Sequence, residues 1–246
     1  VKERAIMTTN RLIFDPIFID TIGHYAEEIL LDPSFITYQI DLESLNTLSL
    51  NFDEHHPTYL RQACKKRIIE FCSARLLAQM MLRRHFKVTT SITSLTEKLP
   101  QWPLGIKGSI SHSQNKVVVV VSTQVHDLGI DIEHWVDQDF AEQSVHLILN
   151  QTEILLWELQ AGAKLNFVQF LTLSFSIKES LYKAVYEKVQ QYIDFLEVHI
   201  TEIDCLKQKI TLKFDPVLQK KFYLKHEYQG FWRSEEDYVL TWITDI

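Results

Sequence analysis

The residues able to do chemistry fall in a few short stretches. The first is Gly129-Ile130-Asp131-Ile132-Glu133. Read as a strand, it places Ile130 and Ile132 on one face and Asp131 and Glu133 on the other. Their Cα atoms would then lie about 6.6 Å apart, close enough for two carboxylates to converge on one hard cation. Magnesium, with its oxygen ligands and retained waters, is the usual occupant of a site built from few carboxylates and a phosphate. The same pattern also describes an ordinary exposed strand face with two acids. The second stretch is Phe175-Ser176-Ile177-Lys178-Glu179-Ser180-Leu181-Tyr182-Lys183. In a helix, Leu181, Ala184 and Val185 supply an apolar face, while Glu179 and Lys183 share another at i, i+4. They make either a surface ion pair or a third metal carboxylate with a phosphate-holding lysine one turn on. The third stretch is Gly108-Ser109-Ile110-Ser111-His112-Ser113. Its hydroxyls and histidine suit hydrogen bonding to phosphate, and equally suit an edge strand. Arg75 is the only charged residue between Phe71 and Leu82. A guanidinium in such apolar surroundings is expected to be partly buried and to need a partner, a phosphate or an internal carboxylate such as Glu70. Arg67, Arg83 and Arg84 read as solvated.

Several elements must position these groups. Residues 59–86 predict a helix, with Cys64, Ile68, Cys72, Leu76 and Met80 recurring every fourth position and no Pro or Gly between. Trp102-Pro103-Leu104-Gly105 predicts a rigid turn. Strands are expected at 109–113 and 116–123, joined by Gln114-Asn115, and at 128–133. Helical segments are expected near 140–149, 152–161 and 166–189, followed by strands at 196–203, 209–214, 222–228 and 238–244. Residues 1–60 are broken by Asp15-Pro16, Asp32-Pro33 and His56-Pro57 and give no clear pattern. Helix then strands, followed by helices then strands, predicts an α+β fold of two halves meeting near residue 125.

Composition removes several function classes. The chain has 246 residues, 46% hydrophobic and 23% charged, as a folded globular protein does. It has only 6 glycines, and neither GxGxxG nor GxxxxGK[ST] occurs, so glycine-loop nucleotide binding has no support. Gly105, Gly108 and Gly129 are expected where backbone comes close to a ligand. The net charge of −7 argues against nucleic acid as a partner. The charge is uneven: +9 from Arg61 to Lys116 and −9 from His126 onward. A polyanionic ligand could meet the first segment and a cation the second. The odd, scattered Cys64, Cys72 and Cys205 give no disulfide or zinc framework. No run is long and apolar enough for a bilayer and no signal-peptide h-region is present, so the expected compartment is the cytoplasm.

In this order and spacing, the Ser-His stretch, the Asp131/Glu133 strand and the Lys178/Glu179/Lys183 helix closely resemble the signature set of the 4′-phosphopantetheinyl transferases, of the larger surfactin-synthetase-activating type. Trp102-Pro103-x-Gly105 and Arg67-x-x-Glu70-Phe71-x-x-x-Arg75 resemble the subgroup of enterobactin-synthetase component D. The resemblance covers about residues 61–188. It departs at Ala74, where the subgroup usually has Gly, and at Ile177, where Ala or Met is usual; neither removes a functional group. The resemblance implies an α+β fold of two similar halves related by a pseudo-two-fold, residues 1–125 and 126–246, with the active site between them. It implies magnesium on Asp131, Glu133 and Glu179. Coenzyme A phosphates would meet Ser111, His112, Arg67, Lys178 and Lys183, and Arg75 would hold the 3′-phosphate. Lys98 and Lys107 could add contacts. Glu179, Lys183 and His112 would be catalytic, Glu179 or a metal-bound water serving as base. The implied reaction moves phosphopantetheine from coenzyme A to a serine of an apo acyl, aryl or peptidyl carrier domain. Siderophore or other nonribosomal peptide synthesis is the expected setting, with fatty-acid carrier activation as the alternative. A monomer would suffice. Another magnesium-dependent phosphotransferase or hydrolase, or a non-catalytic coenzyme A binder, would use the same residues.

Overall fold

The computed structural model describes residues 16–47, 60, 62–92 and 99–245. Lys98 and part of the start of the expected 59–86 helix lie outside the described residues. Pro16 opens the first helix, α1 (Pro16–Ile22), where a fixed φ and a missing N–H cost nothing. Strands β1 (Glu27–Glu28) and β2 (Ile36–Asp41) follow. The long helix α2 spans Lys65–Phe86 and ends at Lys87 in the left-handed conformation. Every residue from Glu70 to Leu82 is buried, so the helix is enclosed on all sides rather than along one stripe.

Strands β3 (Lys107–Ser113) and β4 (Lys116–Ser122) form the expected hairpin. Gln114 takes φ 50° in the turn. The first sheet is antiparallel in the order β1-β2-β4-β3. The run Val117 to Val121 is fully buried because both of its faces are covered. Val117, Val119 and Val121 join the core under α2, with Leu76, Leu77 and Met81. Val118 and Val120 join a different core, with Ile130, Ile132, Leu240 and Trp242.

The second sheet is β5-β9-β8-β7-β6, built from β5 (Asp127–His134), β6 (Val198–Asp204), β7 (Lys209–Phe214), β8 (Tyr228–Ser234) and β9 (Tyr238–Asp245). Helices α3 (Gln138–Ile148), α4 (Gln151–Leu156) and α5 (Phe167–Val189) lie between β5 and β6 in the chain. Asn150 and Asn166 each close a capping box, which sets the starts of α4 and α5. The expected 152–161 helix is α4 continued by a π-helical turn, Trp157–Ala161. The expected strand at 222–228 is corrected. Asp215 caps a short helix, α6 (Pro216–Phe222), with Pro in its first turn, and Tyr223 ends it at φ 54°. The strand begins only at Tyr228, where Tyr228, Gly230 and Trp232 alternate inward.

Each half is thus a long helix, 22 residues in one case and 23 in the other, laid on an antiparallel sheet. All strands of the first sheet precede residue 123, and all those of the second follow residue 126. Edge strands β3 and β5 run side by side across the junction. The glycines there serve packing. A Cβ on Gly108 would lie 2.5 Å from the Trp102 ring, and one on Gly129 would lie 1.9 Å from the Ser180 carbonyl of α5. Gly129 therefore admits the helix, not a ligand. Gly105 supplies φ +78° for its turn.

Candidate active site between the two sheets

Alternation in β3 points Ser109, Ser111 and Ser113 at β5. Ser109 Oγ accepts from the Ile130 N–H at 3.1 Å. Ser111 Oγ donates to Asp131 Oδ1 at 2.6 Å, and Ser113 Oγ donates to Glu133 Oε2 at 3.0 Å. Three hydroxyls at a period of two therefore bridge the edges of two sheets.

Asp131 is the centre of this junction and is 2% exposed. Its Oδ2 accepts from Ser176 Oγ of α5 at 2.7 Å. Its Oδ1 accepts from Lys183 Nζ at 2.6 Å as well as from Ser111. Lys183 also donates to Ser111 Oγ at 2.9 Å and to the Ile130 carbonyl at 3.2 Å. Helix α5 can reach so far because it crosses β5 closely at Gly129. Ser180 locks the helix to β9 by donating to the Thr241 carbonyl at 2.9 Å.

A second group stands beside it. His112 Nε2 meets Arg67 Nη1, and His112 Nδ1 lies 3.5 Å from Glu70 Oε2. The same oxygen is 3.6 Å from Arg67 Nη1. Arg75 is 7% exposed, its guanidinium 3.8 Å from the Phe71 ring centre. Burial, then the charges of Arg67, Lys183 and Arg75, push His112 down to about 4. The ring is neutral at pH 7 in a field that favours an anion.

The acids show the opposite pressure. Burial and then the Asp131 charge push Glu133 up to about 7, with Glu179 adding to the rise. Burial raises Glu179, partly offset by Lys183, and Asp131 adds to it. Glu133 and Glu179 both feel the Asp131 charge, and of the three only Asp131 has an ammonium on it. Among the described residues, no group of three or more His, Cys, Asp or Glu side chains is gathered closely enough to hold a metal ion. The donors are all hard oxygens of the kind magnesium takes, Asp131 buried and Glu133 and Glu179 half-buried. The Lys183 ammonium holds the Asp131 charge.

The structure brings Ser111, Asp131 and Lys183 together, with Arg67 and His112 beside them. Lys178 is a correction. Its ammonium is 2.8 Å from Glu153 Oε1 and donates to the carbonyls of Ile148, at 2.8 Å, and Phe195, at 3.1 Å. With both ion-pair side chains 1% exposed, it has no face for coenzyme A. It sits on the side of α5 turned away from β5, where a lysine can be tolerated only with a buried countercharge. Lys107 pairs with Glu187 instead of standing free. Glu70, a candidate partner for Arg75 by sequence, faces Arg67 and His112, while Ser113 holds Glu133 and Ser176 holds Asp131. The serine alternation along 109–113 was the available signal.

Two half-units, each a helix on a sheet, meet along a polar seam of carboxylates and cations. Residues 54–122 match the family model of the 4′-phosphopantetheinyl transferase N-terminal domain, and residues 127–243 match that of the 4′-phosphopantetheinyl transferase superfamily. The chain belongs to this superfamily. Enterobactin synthase component D of Salmonella typhimurium is 37% identical over 149 residues, 61% of either chain. The Escherichia coli protein of the same name is 32% identical over 187 residues, 76% of this chain and 81% of that one. The 4′-phosphopantetheinyl transferase Svp of Streptomyces mobaraensis is 28% identical over 155 residues. The match spans 61% of the length of the Salmonella relative. Among the described residues no helix is long and apolar enough to cross a membrane.

Proposed function

We propose that the protein is a magnesium-dependent 4′-phosphopantetheinyl transferase that converts apo carrier domains to their holo form. Siderophore or other nonribosomal peptide assembly is the setting its relatives' names favour. The observation that carries the reading is the seam itself. Cations of the first half, Arg67 and Arg75, stand beside His112 and face Lys183 and the acids of the second. A pyrophosphate has a place for its charge there and an acceptor-rich neighbour for a cation. The halves are taken as residues 1–125 and 126–246, and the unit acts as a monomer.

The carrier serine oxygen attacks the β-phosphorus of coenzyme A. The bond from that phosphorus to the bridging oxygen breaks, and adenosine 3′,5′-bisphosphate leaves. Glu179, whose carboxyl burial holds above the usual range, takes the serine proton. Asp131, Glu133 and Glu179 would hold magnesium, which supplies charge neutralisation and alignment of the diphosphate when bound. Lys183, sharing its ammonium between Ser111 and Asp131, is placed to pass a contact to a phosphate oxygen. Arg67 and His112 stabilise charge developing on the transferring group, and Arg75 holds the nucleotide phosphate with a planar fork.

The test incubates the protein with coenzyme A, magnesium and an apo carrier domain. A carrier mass gain of one phosphopantetheine is expected. Cleavage of coenzyme A without carrier labelling would make the protein a hydrolase. Unchanged turnover and magnesium dependence in both Asp131→Ala and Glu179→Ala would reject the metal assignment. A panel of apo carriers under one condition assigns the pathway.

A further inference from the structure

The pair formed by Glu70 and His112 carries an inference that the motif reading did not. An arginine side chain only donates hydrogen bonds. Since Arg67 Nη1 meets His112 Nε2, that nitrogen offers its lone pair. The ring proton is then on Nδ1, which faces Glu70 Oε2 at 3.5 Å. A phosphate oxygen also needs a donor. If it takes the place of Arg67 at Nε2, the ring must gain a proton there.

We propose that Glu70 is a positioning residue for His112: it fixes the Nδ1–H tautomer and provides the countercharge when the ring takes up one proton on phosphate binding. The groups facing the ring are Arg67, Glu70 and Arg75 from α2, Lys183 from α5 and Asp131 from β5. Three are cations and resist the imidazolium. Glu70 is the anion nearest the ring, and its side chain is 11% exposed, so water screens it little. While His112 is neutral the carboxylate contributes only orientation. Its charge matters once the ring is protonated. The proton comes from solvent, one per ligand bound at the ring, and no covalent bond changes. The proposal uses the transferase reading only to name the phosphate donor.

The experiment is nitrogen NMR of the full chain with labelled histidine, His112 being assigned through His112→Asn and inorganic pyrophosphate serving as the probe. The wild type is expected to show the Nδ1–H tautomer near neutral pH and to gain the second ring proton with pyrophosphate. Glu70→Gln keeps the shape and loses the charge. The pyrophosphate-bound midpoint of His112 is expected to fall by about one unit or more, the size of a neighbouring countercharge. Glu70→Asp should recover part of it, and Glu70→Ala should allow the Nε2–H tautomer. In transfer assays Glu70→Gln should raise KM for coenzyme A more than it lowers kcat, with affinity lost at lower pH than in the wild type. An unchanged tautomer and midpoint in both Glu70→Gln and Glu70→Ala would overturn the proposal, as would a wild-type ring that stays neutral with pyrophosphate. The NMR result stands whether or not a carrier is labelled, so failure of the transferase reading is seen separately.

Discussion

Replacing Lys178 by Met separates a ligand contact from a fold contact. The Lys178–Glu153 pair is buried at both ends. The Glu153 carboxylate also accepts from the N–H groups of Ile200, at 2.8 Å, and Asn150, at 2.9 Å. One ion pair thus ties α5 to the start of α4 and to β6. Without the ammonium, the carboxylate keeps two N–H donors and loses its countercharge. Breaking one side of such a buried pair costs about 3–5 kcal/mol. In a chain of this size, each kcal/mol moves Tm by about 2–4 °C, so the expected fall is about 6–20 °C. Lys178→Met with Glu153→Gln should cost less than the two single changes added together. Thermal unfolding by circular dichroism gives the first readout, and KM for coenzyme A well below Tm gives the second. An unchanged Tm with a raised KM would show Lys178 to be a ligand contact and refute the argument.

Three further predictions concern the seam. His112 is held at about 4 against an ordinary 6.5, so between those values the unfolded chain carries the extra proton and stability rises with pH. Glu133 is raised to about 7 from 4.5, so there the folded chain carries the extra proton and stability falls as pH rises. The two oppose each other from 4.5 to 6.5. Glu133→Gln should give a Tm that climbs through this window, and His112→Asn one that declines; equal slopes in both variants and the wild type would refute the assignment. Gly129→Ala sets a Cβ 1.9 Å from a helix carbonyl, so α5 must move, at about 3 kcal/mol or more, and unfolding and transfer assays should both register it. Arg75→Lys loses the planar fork and should raise KM for coenzyme A, with little change in Tm because the charge remains.

Much of the site was legible in the chain itself. Period-two alternation placed Asp131 and Glu133 on one strand face, and i, i+4 spacing placed Glu179 and Lys183 on one helix face, because those relations are local. The long apolar flanks of Arg75 foretold its burial. The strand forecast at 222–228 failed because Asp215-Pro216 starts a helix whose length is set by where Tyr223 turns back, and Gly230 weakened the signal for β8.

What the sequence determined alone was the set of reactive residues, their order and the elements that carry them. Packing decided what each side chain faces. Lys178 and Lys183 are five positions apart on one helix, yet the first is sealed against Glu153 and the second bridges Ser111 and Asp131. The serines of β3 bind β5 because two sheet edges are held together by a shared apolar core, with Val118 and Val120 on one side and Ile130 and Ile132 on the other. A neighbour in space but not in sequence fixes a charge's partner, its solvation and hence its pKa, and that neighbour exists only once the halves are packed.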